Sequence, residues 1–263
     1  MTRRGDFGCL CALFIGMVSN MTMSRRDFVK VSGTGLMALL VSGCGIGAAA
    51  GAVGASGSSS GSGSSGSNGA PPSGLAKDYK AAGKPMKIVV INSSPHPKDE
   101  STSVFLSEQF TAGAQKAGHT VFTFDAARAQ THPCIGCDTC HMDGPCVFKD
   151  DIENTLMPKM LDADMLVLVT PLYYFGMSAQ LKTIVDRFYA RSGRLHGKRS
   201  LLIATAYNSD NWTMEALADH YDTLVRYMEW DNVGMVLGTG CGARSLVEKS
   251  DFGPQAEKIG EMI

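Results

Sequence analysis

Four cysteines lie close together in the middle of the chain. They are Cys134, Cys137, Cys140 and Cys146, in the spacing C-x2-C-x2-C-x5-C. A short loop can direct several sulfurs toward a soft metal, and two successive C-x2-C steps suit a cubic iron–sulfur cluster. A structural zinc ion usually takes its ligands as two separated pairs. The spacing therefore favours redox chemistry at a [4Fe–4S] cluster.

The N-terminal region has the pattern of an export signal. Residues 24–30, Ser-Arg-Arg-Asp-Phe-Val-Lys, differ at one position from the twin-arginine pattern S-R-R-x-F-L-K. The weakly apolar stretch 31–43 that follows is too short and too rich in glycine to span a membrane. Residues 41–44, Val-Ser-Gly-Cys, are similar to a bacterial lipobox, which predicts a diacylglycerol anchor on Cys44. We expect residues 1–44 to be the signal region, with translation starting at Met21 or Met23.

Such a signal bears on the chemistry of the cysteines. The twin-arginine route carries folded proteins, so a cofactor can be loaded before export. We expect the protein at the extracytoplasmic face of a membrane, held by the lipid, or in the periplasm. Residues 137–141 also spell the C-x-x-C-H motif of covalent haem attachment, but haem is attached to unfolded chains after export. Zinc, disulfides and free thiols stay open as alternatives to the cluster.

Composition divides the rest of the chain into a linker and a domain. Residues 56–69 are only Gly, Ser and Asn, so they have no apolar surface to bury, and we predict a flexible linker over 45–85. The chain has 24 basic and 25 acidic side chains, and residues 1–85 contain 8 of the basic and 3 of the acidic ones. The domain at 86–263 therefore has 16 basic and 22 acidic side chains, a net charge of −6. This balance excludes nucleic acid as a natural partner.

Strand and helix patterns alternate through the domain. Short apolar runs predict strands at 87–92, 119–125, 164–170, 200–205 and 233–237. Periodic patterns predict helices at 102–117, 152–161, 179–191, 212–227 and 253–263. This alternation is typical of an open, doubly wound α/β parallel sheet, which binds ligands beyond the carboxyl ends of its strands.

Polar and aromatic loops follow three of these strands. After the first strand, residues 92–97 are Asn-Ser-Ser-Pro-His-Pro, and Ser101-Thr102-Ser103 open a helix, which suits either a phosphomonoester or a simple helix cap. After the third strand, two tyrosines and a phenylalanine at 173–175 can stack on a planar ring or pack a corner. Residues 205–208 after the fourth strand can meet the same ring. Neither G-x-G-x-x-G nor the P-loop pattern follows the first strand, which argues against a dinucleotide or a nucleoside triphosphate as the ligand of this loop.

These loops together resemble a known family. Residues 92–96, 101–103, 170–182 and 186–187 are similar to the NADPH-dependent FMN reductase-like branch of the flavodoxin superfamily, over about 86–263. The cysteine run, with Lys-Asp-Asp at 149–151, narrows the resemblance to iron–sulfur flavoproteins. The resemblance implies a flavodoxin-like sheet of five parallel strands in the order 2-1-3-4-5, with helices on both faces.

The resemblance also implies a cofactor and its site residues. FMN would bind with its phosphate at the first loop, nearest Ser94 and residues 101–103, and with its ring along 171–176, nearest Tyr173. The predicted cofactor-binding residues are Ser93, Ser94, Pro95, His96, Ser101, Thr102, Ser103, Pro171, Leu172, Tyr173, Tyr174, Phe175, Gly176 and Thr205. The predicted cluster ligands are Cys134, Cys137, Cys140 and Cys146. The family usually has Gly, Arg and Asn where this chain has Ser93, His96 and Ser101, and it is commonly dimeric or larger.

We therefore expect an exported, lipid-anchored FMN-dependent oxidoreductase with a [4Fe–4S] cluster. Electrons would pass singly through the cluster, and FMN would deliver them in pairs to a small-molecule acceptor. Because nicotinamide cofactors are scarce outside the cytoplasm, we expect a redox partner protein or a membrane quinol pool as donor. The alternatives are an NAD(P)H-dependent FMN or quinone reductase without a cluster, and a lipid-anchored electron carrier that is not an enzyme.

Overall fold

The computed structural model describes residues 71–263. The predicted signal region 1–44, its lipidation site Cys44 and linker residues 45–70 lie outside this range. Within residues 71–263, none of the helices has the length and apolar character needed to cross a bilayer.

A central sheet of six strands organises these residues. The strands are β1 Gly74–Leu75, β2 Lys87–Asn92, β3 Thr120–Asp125, β4 Met165–Pro171, β5 Arg199–Thr205 and β6 Asp231–Gly238. Their order is β1-β6-β5-β4-β2-β3, and every neighbouring pair is parallel except β1 and β6. The five parallel strands therefore have the predicted flavodoxin-like order. The apolar runs of β2, β4, β5 and β6 are buried on both faces, as in the interior of a parallel sheet, and every residue of β4 is buried, whereas the edge strand β3 is largely half-buried or exposed.

The sixth strand corrects the predicted linker. Gly74 and Leu75 were assigned to the flexible segment 45–85, but they pair antiparallel with β6. The backbone N–H of Ala76 donates to the Val233 carbonyl at 2.9 Å, and the Leu237 N–H donates to the Ser73 hydroxyl at 3.0 Å. The outer edge of β6 has unpaired backbone groups, and β1 satisfies them. The predicted linker is thus wrong at its C-terminal end.

Helices cover both faces of the sheet. They are α1 Thr102–Lys116, α2 Met157–Asp162, α3 Ala179–Arg187, α4 Ser192–Leu195, α5 Glu215–Tyr227, α6 Arg244–Val247 and α7 Phe252–Met262. A π-helical turn, Ile152–Leu156, precedes α2, and a 3-10 turn, Phe188–Arg191, joins α3 to α4. The helix predicted at 179–191 is therefore divided, and α6 was not predicted. Side chains of α2, α3 and α5 form the core on one face, and those of α1 and α7 form it on the other.

Candidate functional site

A cavity of about 480 Å³ lies beyond the carboxyl ends of β2, β4 and β5. We call it the strand-end cavity. It lies where the strand order reverses, the position at which doubly wound sheets bind ligands. Its lining residues are Ser94, His96, Asp99, Glu100, Ser101, Thr102, Ser103, Pro171, Leu172, Tyr173, Thr205, Ala206, Tyr207, Cys241, Gly242, Ala243 and Arg244.

One end of this cavity has the features of a phosphate site. The Ser101 hydroxyl donates to Ser94 Oγ at 2.7 Å and accepts from the Val104 N–H at 3.2 Å, so it caps α1. Ser94, Ser101 and Ser103 are buried, so the loop is held in place before a ligand binds. The N–H groups of the first turn of the 15-residue α1 carry partial positive charge. This end can therefore hold an anion.

The other end is formed by the segments after β4 and β5. The Thr102 hydroxyl donates to Thr205 Oγ1 at 2.9 Å and the Leu172 N–H donates to the Thr205 carbonyl at 2.8 Å, so three loops are joined. Tyr173 lines the cavity with its hydroxyl 3.5 Å from Nε2 of His96. Burial raises the pKa of the Tyr173 hydroxyl. This end presents an apolar surface and a neutral phenol, which suits a planar ring.

Five predicted cofactor residues lie outside the strand-end cavity. They are Ser93, Pro95, Tyr174, Phe175 and Gly176. The Ser93 hydroxyl donates to the Val169 carbonyl at 2.8 Å and accepts from the Ser178 hydroxyl at 2.8 Å, so it joins the loop to β4 and α3 instead. Tyr174 and Phe175 form the tip of a tight turn closed by Tyr173 and Gly176, and both have positive φ. Tyr174 is fully exposed, and Phe175 packs on Trp212 with ring centroids 4.9 Å apart.

The sequence did not predict Asp99, Glu100, Gly242 or Arg244 as lining residues, although it did predict that residues 205–208, which include Tyr207, can meet the ring. Arg244, the first residue of α6, donates through Nη1 to the Lys98 carbonyl at 3.1 Å and lies over the Phe105 ring at 4.6 Å. It brings a cation to the phosphate end, whereas Asp99 and Glu100 bring acidic groups to the rim. The Tyr207 ring lies directly on Gly242, where a side chain would overlap it. A basic residue two positions after the Gly240-Cys241-Gly242 turn was the signal available in the sequence for Arg244.

The strand-end cavity fits FMN by its own chemistry. Its volume lies within the range of small-ligand sites, about 300–1,000 Å³. Buried hydroxyls and a helix N-terminus supply donors for a phosphate, and Leu172 and Tyr173 supply a surface for a ring. The three loops that form it come from three parallel strands, as in mononucleotide sites of this architecture.

A second cavity, of about 390 Å³, is lined by all four predicted cluster ligands. We call it the cysteine cavity. Cys140 and Cys146 are buried and Cys134 and Cys137 are exposed, and all four are free thiols. Across residues 71–263, no three His, Cys, Asp or Glu side chains are grouped closely enough to hold a metal ion. The structure thus places the four sulfurs in one cavity wall without bringing them together as a ligand set.

The cysteine loop, residues 126–151, bends sharply at several positions. Gly136, Asp138, His141 and Met142 have positive φ, a conformation that allows a short segment to turn its side chains inward. The N–H and hydroxyl of Thr139 hydrogen-bond to the Cys137 sulfur and lower the pKa of its thiol, which favours the thiolate that metals and electrophiles require.

A buried ion pair anchors this loop to α3. Nη1 of Arg187 lies 2.8 Å from Oδ2 of Asp150, and the two side chains are 1% and 2% exposed. Burial would raise the pKa of the Asp150 carboxyl, but hydrogen bonds from Arg187 and from the N–H groups of His132 and Glu153 outweigh it and hold the pKa below its ordinary value. The guanidinium also donates to the His132 carbonyl at 2.9 Å. One arginine of α3 therefore fixes both ends of the cysteine loop.

Fold and site define a flavodoxin-like α/β protein with a mononucleotide cavity at the switch point of its sheet. Residues 86–239 match the sequence model of the NADPH-dependent FMN reductase family, and the chain belongs to this family. This match confirms the family that the sequence predicted. It supports FMN as the cofactor and flavin-dependent oxidoreductase as the class of enzyme.

Curated relatives carry a more specific name. An iron–sulfur flavoprotein of Methanocaldococcus jannaschii is 37% identical over 102 residues, which cover 39% of this chain and 51% of that protein. One from Archaeoglobus fulgidus is 34% identical over 102 residues, 39% of this chain and 48% of that protein. The chain thus spans about half the length of the curated relatives it matches.

Solved structures agree with the fold. An NAD(P)H:quinone oxidoreductase from Methanothermobacter marburgensis superposes with a TM-score of 0.55 at 20% identity, covering 68% of this chain and 96% of that one. An azoreductase from Bacillus anthracis superposes with a TM-score of 0.54 at 18% identity, covering 67% and 99%. At these identities the likeness confirms the flavodoxin-like architecture.

Proposed function

We propose that this chain is an FMN-dependent oxidoreductase that transfers electrons between a [4Fe–4S] cluster on its four cysteines and FMN in the strand-end cavity. The observation that carries the proposal is the presence of both cavities in one domain. One has the chemistry of a phosphate and ring site, and the other is lined by four free thiols. The names of the curated relatives support the combination.

In this proposal each lining residue has a defined task. Ser94, Ser101 and the first turn of α1 bind the phosphate, and Arg244 offsets its charge. Leu172 and Tyr173 orient the ring and exclude water from one side of it. When bound, FMN supplies two-electron chemistry and the cluster supplies one-electron transfer, so the protein contributes position and electrostatics.

The donor, the acceptor and the cellular place also belong to the proposal. The twin-arginine pattern and Cys44 support export and a lipid anchor, and an exported enzyme would take electrons from a quinol pool or a redox partner protein. The acceptor would be a small molecule, and the protein would act as a homodimer or larger assembly. Rapid reduction of the purified holoprotein by NADPH alone would contradict the proposed donors.

A second candidate is an NAD(P)H-dependent FMN or quinone reductase without a cluster. The observation in its favour is that the four sulfurs line their cavity without forming a ligand group within residues 71–263. In that case the cysteine loop would be a structural element fixed by Arg187 and Asp150.

Anaerobic purification of residues 71–263 distinguishes the two candidates. We expect about four iron and about four sulfide per chain beside about one FMN, with cluster absorbance in the visible range. Zinc or no metal beside FMN would favour the second candidate. Replacing Cys140 by Ser should abolish iron binding and leave FMN in place. Cys241→Ser is the matched control for iron content, because Cys241 is also buried and lines the strand-end cavity instead of the cysteine cavity.

A further inference from the structure

Arg187 is a buried cation in the wall of the cysteine cavity. It ends α3 and is 1% exposed. Its Nη1 and Nη2 groups lie 2.8 and 3.3 Å from the two carboxylate oxygens of Asp150, and its guanidinium lies 5.6 Å from the centre of the Phe148 ring. Both Arg187 and Phe148 line the cavity that the four cysteines line. The charge of Arg187 is therefore paired with Asp150 and lies in the wall of the cavity that the four cysteines line.

One nitrogen of this guanidinium has no hydrogen-bond partner in the described part of the chain. Nε of Arg187 is buried and has no hydrogen-bond partner among residues 71–263. A buried N–H without an acceptor costs free energy, and a guanidinium offers its five N–H groups in a fixed plane. Asp150 and the His132 carbonyl accept from three of the four N–H groups at the Nη end. The Nε–H group thus needs an acceptor, and the cavity that Arg187 lines offers four cysteine sulfurs beside the carboxylates of Asp138 and Asp186.

We infer that Arg187 is a positioning residue for the cluster, whose Nε–H donates to a cluster sulfide or a cysteine sulfur and whose charge stabilises the reduced form. This inference rests on the proposed function, because it requires the cluster to bind at these four cysteines. Reduction adds one electron and one negative charge without making or breaking a bond. A nearby cation and an N–H···S hydrogen bond both favour that added charge, and both are known determinants of cluster potential.

Arg191 provides a matched control in the adjoining turn. It is also an arginine in a largely buried ion pair, with Nη2 3.0 Å from Oε1 of Glu153 and side chains 10% and 8% exposed. It does not line the cysteine cavity. A change at Arg191 therefore perturbs a similar pair without removing a donor from the cavity.

The test is the midpoint potential of the cluster in anaerobically purified full-length holoprotein, measured by dithionite titration followed by electron paramagnetic resonance. Arg187→Lys retains a positive charge and loses the planar fork. We expect this variant to retain iron and to have a lower cluster midpoint potential. At a fixed solution potential, the ratio of reduced to oxidised cluster should fall about tenfold, which corresponds to about 59 mV for one electron. Arg187→Gln should lower the midpoint potential further, and Arg191→Lys should leave it unchanged.

The outcomes separate this inference from the proposed function. Wild-type protein without iron and sulfide would overturn both. Iron-loaded Arg187→Lys protein with the wild-type potential would overturn the inference alone. If the variants lose iron, wild-type protein grown on arginine labelled with ¹⁵N at Nε decides the matter. A ¹⁵N coupling in the reduced-cluster spectrum supports the contact, and its absence rejects it.

Discussion

Ser101 connects the stability of α1 with the chemistry of the strand-end cavity. It is 1% exposed, and its hydroxyl both caps the helix at Val104 and donates to Ser94. A phosphate bound here would therefore meet a donor that the fold already needs.

The first prediction concerns Ser101→Ala. Loss of the cap should lower the free energy of unfolding by about 1 kcal/mol. Loss of a hydrogen bond to a charged phosphate should weaken FMN binding about tenfold or more, and it should leave riboflavin binding nearly unchanged. Flavin fluorescence quenching measures both affinities. Ser107→Ala is the control, because Ser107 is buried in the same helix and lies outside the strand-end cavity. Equal weakening of FMN and riboflavin would contradict the phosphate assignment.

At the scale of single residues, the sequence indicates the loops better than the directions of their side chains. Ser94, Thr102 and Thr205 could be predicted because they follow strands whose carboxyl ends meet. Tyr174 and Phe175 could not be assigned correctly, since two successive positive φ values turn them away from the cavity. Local patterns do not encode that turn geometry.

At the scale of elements, α1 and α7 approach each other through glycine. A Cβ atom on Gly113 would lie 2.0 Å from the carbonyl oxygen of Glu257, and one on Gly260 would lie 2.3 Å from that of Phe110. Lys116 is ion-paired with Glu257 beside this contact. Because the approach is between backbones, side-chain adjustment cannot relieve an added methyl group.

The second prediction is that Gly113→Ala destabilises the protein by about 1–3 kcal/mol through overpacking, although alanine is the better helix former. Gly193→Ala is the control, because its Cβ would meet open space in α4. Denaturant unfolding of the two variants under the same conditions measures the difference. Unchanged or increased stability of the Gly113 variant would show that the helices separate at little cost.

The strands were the most predictable elements. Apolar, β-branched runs identify β2, β4 and β5 to within about two residues, the usual uncertainty of boundaries. The predicted helix 179–191 was less accurate, since its pattern continues through the 3-10 turn at Phe188–Arg191. Arg187 and Arg191 pair there with Asp150 and Glu153 from distant sequence. The local periodicity of a sequence does not predict such pairs between distant residues.

At the scale of the whole molecule, β1 protects an edge of the sheet. It pairs with β6 at Gly74 and Leu75, and it covers part of a strand edge that would otherwise offer backbone groups to other chains. A Cβ on Gly234 would lie 2.1 Å from the Gly74 carbonyl oxygen, so the two strands fit closely.

The third prediction compares the chain 71–263 with the chain 77–263, which lacks β1. The shorter chain should unfold at lower denaturant concentration and should associate more as its concentration rises, because the edge of β6 is exposed. Unfolding curves and light scattering measure the two effects. Ser73→Ala in the longer chain is the control, since it removes the two hydrogen bonds of the Ser73 hydroxyl, to Gln255 and from the Leu237 N–H, and leaves the pairing of Gly74 and Leu75 with β6. Identical behaviour of the two chains would show that β1 contributes neither stability nor protection.

The fold class could be predicted from the alternation of strands and helices, whereas β1 could not. The two residues of β1 are too few to show the alternating pattern of a strand. They also follow a Gly/Ser-rich stretch whose composition predicts a flexible coil. The anchoring of the cysteine loop was equally inaccessible, because Asp150 and Arg187 are 37 residues apart and meet only in the folded chain.

The attachment of the cysteine loop has a consequence for how such domains can be rebuilt. Residues 126–151 connect the end of β3 to the helical turn that begins at Ile152. None of them belongs to a strand of the sheet. The side-chain bonds of this loop to α3 come from Arg187, which pairs with Asp150 and donates to the His132 carbonyl. In the turn that follows α3, Tyr189 donates to Asp138. A related domain without the loop would need residues equivalent to Arg187 and Tyr189 to hold it as a single cassette. Loop exchange, by recombination or by design, would then add or remove the four cysteines and leave the loops of the strand-end cavity as they were.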